Sequence, residues 1–188
     1  MNTTSITLLQ RVQANLDPNA WRRFADLYSP LLYHWSVRAG LTESDAVDVV
    51  QDVFVVLLRE LSSFVGRYDK ERGNFRGWLK TITVRKVTDM RRKRRPKTGD
   101  SAILDGVEAD PLEAIWDQEY QRQVVRRALE LMQTDFETNT WRACWETTVN
   151  DRPAREVAIE LGMNEAAVYV AKSRVLRRLR EEFSPLIG

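Results

Sequence analysis

Asp45, Asp48 and Asp52 are the residues whose spacing first suggests chemistry. At 100° per residue they fall within one helical arc of about 60°. Three carboxylates on one face could hold a divalent cation, but a ligand set drawn from one helix, without His or Cys, is poor. A solvated face that complements the positive helix N-terminus is the plain alternative. Val55 and Val56 share the acidic side, however, and exposed valines beside aspartates favour docking of a basic protein. His34, the only histidine, lies between Tyr33 and Trp35 and is expected to pack. Cys144, the only cysteine, sits between Trp141 and Trp145 and reads as a small core residue. The chain has no phosphate-binding glycine loop, nucleophile elbow or HExxH pattern, so nothing in it asks for an enzyme, a cofactor or a metal.

Cations supply the second pattern. Residues 67–97 carry 13 basic and 3 acidic side chains, with five consecutive cations at Arg91-Arg92-Lys93-Arg94-Arg95. Self-repulsion in such a run calls for an external anion. Tyr68, Phe75 and Trp78 lie among these cations, a mixture that suits single-stranded nucleic acid: bases stack while Lys and Arg neutralise phosphates. Phe75, Trp78, Leu79 and Ile82 also stand at core spacing, and Trp78 is expected in the core. Near the C-terminus, Arg155 to Leu161 reads as a short helix, Gly162 as a tight turn and Asn164 as the cap of a further helix. Val168, Val175 and Leu179 give that helix one buried face, while Tyr169, Lys172, Ser173, Arg174 and Arg177 occupy the other. Such a helix-turn-helix places its second helix in the major groove.

The elements that carry these patterns are helical nearly throughout. Asp17-Pro18 opens a helix that Pro30 should kink or interrupt, and a second stretch should end at Gly40. Thr42 to Asp45 resembles a capping box and starts a helix to about Leu61, with Ala46, Val50, Val53, Leu57 and Leu61 on the face opposite the aspartates. A long helix begins near Phe75 and stops at Pro96; Asp110-Pro111 starts another, and helices follow from Phe136 to Trp145, Pro153 to Leu161 and about Glu165 to Phe183. The expected fold is all-α: two small helical domains, 1–95 and 111–188, joined by an acidic linker over 96–110.

Composition bounds the class. The 188 residues allow one medium or two small domains, and one cysteine forms no internal disulfide. No apolar run approaches the roughly 20 residues that span a bilayer, and no signal-peptide pattern opens the chain, so a cytoplasmic protein with no membrane insertion is expected. The formal net charge of +2 conceals four unlike blocks: −2 over 1–66, +10 over 67–97, −7 over 98–121 and +1 over 122–188. Local fields act over about one Debye length, so the +10 block itself points to a polyanion.

Taken in order, these features resemble the extracytoplasmic-function (group IV) sigma factors of bacterial RNA polymerase. SDAVDVVQDVFVVLLRE at 44–60 is similar to the family's region 2 signature, and FRGWLKTITVRKVTDMRRKRR at 75–95 to its −10 recognition and melting segment. REVAIELGMNEAAVYVAKSRVLRRLRE at 155–181 looks like region 4, the −35 reader. The resemblance implies docking on the clamp helices of the polymerase's largest subunit through Asp45, Asp48, Gln51, Asp52 and Val55. It implies contact with the −10 element through Arg76, Trp78, Lys80, Arg85, Lys86, Asp89, Arg91 and Arg92. It implies −35 contact through Glu165, Ala166, Tyr169, Val170, Lys172, Ser173, Arg174 and Arg177. The other implied partners are the flap of the second-largest subunit, promoter DNA and an anti-sigma factor; a nucleoid location follows from polymerase binding. Asp100, Asp105, Glu108 and Asp110 in the linker would then follow the cationic RNA path of the polymerase. Two departures stand out: the family usually has Asn where Arg85 stands, and Lys-Ser-Arg where this chain has Tyr169-Val170-Ala171. The rival class is an autonomous helix-turn-helix regulator, which leaves the 44–60 and 75–95 helices without a role.

Overall fold

The structure, a computed structural model, describes residues 7–14, 18–65, 75–94 and 111–187. The protein is all-α, with no strand among the described residues. The expected linker over 96–110, the cap residues Asp17 and Asp110, and Tyr68 lie outside the described residues. Helix α1 (Leu8–Gln13) begins at a capping box that the sequence reading passed over. There the Thr7 N–H donates to Gln10 Oε1 at 2.9 Å and the Gln10 N–H to Thr7 Oγ1 at 3.4 Å.

Helix α2 (Pro18–Arg38) continues through Pro30 without the interruption that proline could impose. Proline removes the N–H that would reach the carbonyl four residues earlier, here that of Asp26. Arg127 Nε donates to this carbonyl at 3.0 Å, so the acceptor freed by Pro30 is satisfied from outside the helix. Gly40 ends α2 at φ +91°, in the left-handed region that glycine enters without strain. Thr42 then caps α3 (Glu43–Val65): its Oγ1 donates to the Asp45 carboxylate at 2.8 Å and accepts the Asp45 N–H at 3.3 Å. Helix α4 (Phe75–Arg94) packs on α3, and burial of Phe75, Leu79, Ile82, Thr83 and Val87 fixes its inner face.

The remaining helices are α5 (Pro111–Leu131), α6 (Thr138–Thr148), α7 (Ala154–Leu161) and α8 (Glu165–Ile187), with a 3-10 turn at Gln133–Asp135. By packing, the chain divides into one unit of residues 28–121 and a second of residues 1–27 with 122–188. These divisions fall inside α2 and α5.

In the first unit, aromatic residues hold the opening turns of α5. Trp116 lies 4.5 Å from Trp35 and 5.2 Å from Tyr120 between ring centroids, and the Tyr28 and Tyr120 hydroxyls are 2.8 Å apart. All four side chains are buried, and burial raises both tyrosine hydroxyls above their ordinary range. In the second unit, α1, α6 and α7 pack on α8. The buried carboxylate of Glu182 meets Arg23 Nε at 2.7 Å, and Arg23 also reaches Asp135 at 3.2 Å and the Leu131 carbonyl at 3.3 Å. Such an arginine-centred network offsets the desolvation of a buried charge and anchors residues 18–27 in this unit.

Candidate nucleic-acid and protein-partner interfaces

Helix α3 buries Ala46, Val49, Val53, Leu57 and Leu61. Val49, four residues before Val53, takes the inner place expected of Val50, which is half-buried. The same phase carries Asp45 inward, where it is only 3% exposed. Asp45 therefore leaves the expected docking arc. Its carboxylate accepts from Thr42 and pairs with Arg94, and these interactions hold its pKa below the usual carboxylate range. Asp48, Gln51 and Val55 remain exposed, and Asp52 is half-exposed with Lys86 Nζ at 3.5 Å. Val47 and Leu58 join this outer face, Leu58 being 61% exposed. Sequence reasoning missed both, although residues eleven apart return to the same side of a helix and flank Gln51 and Val55.

Helix α4 carries eight cations and one carboxylate, but not all of them face outward. The Arg76 guanidinium lies 5.0 Å from the centroid of the Tyr120 ring, a cation–π contact in the first unit. Lys86 meets Asp52, Arg91 donates to the Ala39 carbonyl, and Arg94 pairs with Asp45. The run at 91–95 is thus partly neutralised from within, where an external anion alone was expected. Arg85, Asp89 and Arg92 line the exposed side, and among the described residues no carboxylate pairs with Arg85 or Arg92. Lys80, Thr81, Val84 and Arg85 line an open cavity of about 400 Å³. Trp78 is half-buried rather than in the core, with an edge-to-face contact to Phe75 at 5.9 Å. His34 likewise departs from its expected packing role: it is exposed, with Glu119 at 4.0 Å.

In the second unit, α7 and α8 form two helices joined by residues 162–164. Gly162 adopts φ +63°. Its N–H donates to the Ile159 carbonyl and that of Met163 to the Ala158 carbonyl at 2.9 Å, a Schellman turn that closes α7. The side chain of Asn164 then caps α8, accepting the Ala167 N–H at 2.7 Å. Val157, Ala158 and Leu161 of α7 pack with Val168 and Ala171 of α8 and Ala143 of α6. That packing leaves Glu165, Ala166, Tyr169, Val170, Ser173, Arg174 and Arg177 exposed together. Lys172 is the exception: half-buried, it donates to the Thr147 carbonyl at 3.0 Å. Arg174, Arg177 and Arg178 border an open cavity of about 390 Å³ with Asp135, Phe136 and Glu181.

The acidic and apolar face of α3 and the cationic face of α4 lie in a stretch that is similar to a known family. Residues 24–97 match the family model for sigma-70 region 2. The match runs from Phe24 in α2 through all of α3 and α4, so both candidate surfaces of the first unit lie within the matched residues. No curated protein matches the chain. Among the described residues no cluster of His, Cys, Asp and Glu could hold a metal ion, and no helix is long and apolar enough to cross a membrane.

Proposed function

We propose that this chain is a sigma factor of the extracytoplasmic-function group. It binds core RNA polymerase, directs it to promoters with −10 and −35 elements, and assists opening of the duplex without performing chemistry itself. The observation that carries this reading is the pairing, within the region 2 match, of an outward acidic and apolar face on α3 with a cationic, cavity-bearing face on α4. Asp48, Gln51, Asp52, Val55 and Leu58 would meet the clamp helices of the largest subunit. Asp45 supports that face from beneath by holding Arg94 and by bonding to the cap residue Thr42. Lys80, Arg85, Asp89, Arg92 and Trp78 would meet the −10 strand. Melting is then coupled binding: captured bases and neutralised phosphates offset stacking losses of a few kcal/mol per base. Arg76, Lys86 and Arg91 act behind this surface, since each already has a partner within the protein.

The exposed face of α8 would read the −35 element, with residues 111–188 as the functional region 4. The test is promoter-dependent transcription by purified core polymerase with and without the protein. Stimulation from specific genomic promoters is expected, and Asp48→Arg should weaken polymerase binding while leaving the helical content intact. Tight duplex binding without any stimulation would support an autonomous regulator instead.

A further inference from the structure

The base-reading end of α8 is chemically unusual for a helix that faces DNA. In a helix-turn-helix the N-terminal residues of the second helix reach base edges. Here that end exposes Ala166, Tyr169 and Val170, with Tyr169 56% and Val170 68% exposed. Within the first two turns there is no cation, and Glu165 is the single charged group. Lys172, the first cation along the helix, is diverted to the Thr147 carbonyl. Arg174 and Arg177 follow one and two turns beyond Val170, exposed, and no carboxylate among the described residues pairs with them. The face is thus divided along its length, apolar first and cationic after.

An apolar patch beside unpaired arginines fits an anionic surface that itself carries apolar groups. Duplex DNA offers them in one place: the 5-methyl of thymine in the major groove. Ala166 to Val170 spans about 6 Å along the helix axis at about 1.5 Å per residue. That covers roughly two base-pair steps of about 3.4 Å. We propose that Ala166, Tyr169 and Val170 read thymine methyl groups at two neighbouring positions of the upstream promoter element, while Arg174 and Arg177 hold the adjoining phosphates. Specificity at these positions then comes from apolar contact, in place of the hydrogen bonds that a lysine or arginine would make to guanine.

This inference rests on α8 being the −35 reader, and the experiment separates the two. The complex of core polymerase with the full-length chain selects upstream elements from random duplexes. Each selected thymine is then replaced by uracil, which lacks only the methyl group. Two neighbouring positions should lose affinity about fourfold each, the effect of failing to bury one methyl group. With Val170→Ala, uracil and thymine should bind equally at one of them. Uracil tolerated at every thymine, or an unchanged ratio in Val170→Ala, overturns the inference and leaves the apolar face to a protein partner. Loss of all dependence on the upstream element, even when it is fully scrambled, would instead overturn the −35 reading itself.

Discussion

Removing Arg174 and Arg177 together tests the cationic half of α8 by a quantity that base readout does not supply. Both side chains are exposed and lie beside the cavity bordered by Phe136. Each phosphate neutralised on B-DNA contributes about 0.9 to the slope of log affinity against log salt. The double Arg174→Ala, Arg177→Ala variant should therefore have a slope shallower by about 1.8. A rise from about 50 to about 200 mM salt would then cost the wild type about twelvefold more affinity than the variant. Arg152 is the control, because Glu146 at 3.2 Å and Glu160 at 2.6 Å already neutralise it. Fluorescence anisotropy of labelled promoter duplex with the polymerase complex, titrated across salt, gives all three slopes. An unchanged slope in the double variant, or an equal change in Arg152→Ala, would refute the assignment of phosphates to these arginines.

Three further outcomes follow from the same geometry. Leu57→Ala should destabilise the protein by about 2–5 kcal/mol in urea unfolding, whereas its neighbour Leu58→Ala should cost less than about 0.5 kcal/mol; equal losses would mean that the face assignment of α3 is wrong. Asp45 has a lowered pKa, so its contribution to stability is present above its ordinary value of 3.8 and is lost as pH falls through the lowered one. The stability gap between wild type and Asp45→Asn should accordingly shrink in acid, and a gap independent of pH would disprove the link. Cys144 is buried beside Thr148, and burial pushes its thiol up. The folded protein should resist thiol reagents near neutral pH that modify the unfolded chain at once; rapid labelling of the native state would contradict this.

Most helices were legible because apolar period and caps coincide. Thr42 with Asp45 starts α3, Gly162 ends α7 and Asn164 starts α8, each by local hydrogen bonds among sequence neighbours. What the sequence hid is long-range. Pro30 signals a break unless one knows that Arg127, about a hundred residues away, satisfies the Asp26 carbonyl. Asp45 looks solvated by charge alone, yet it shares the phase of Val49 and Val53 and meets Arg94. The same limit applies to Arg76, Lys86 and Arg91, whose partners Tyr120, Asp52 and Ala39 lie on other helices. Exposure of the set proposed for the −35 element was more legible, since seven of its eight residues are exposed and only Lys172 turns aside.

The bridge between Lys86 and Asp52 joins a helix face suited to a basic protein with one suited to nucleic acid. Asp52 cannot neutralise Lys86 and a partner's cation at full strength together. A partner that takes the carboxylate releases the ammonium for a phosphate, and a phosphate that takes the ammonium releases the carboxylate. Thermodynamic reciprocity then requires each binding event to strengthen the other by the same factor. For an exposed pair worth at most about 1 kcal/mol, that factor is at most about fivefold. With the proposed partners, a single 3.5 Å contact would make the free protein slightly reluctant toward DNA and the assembled complex slightly eager.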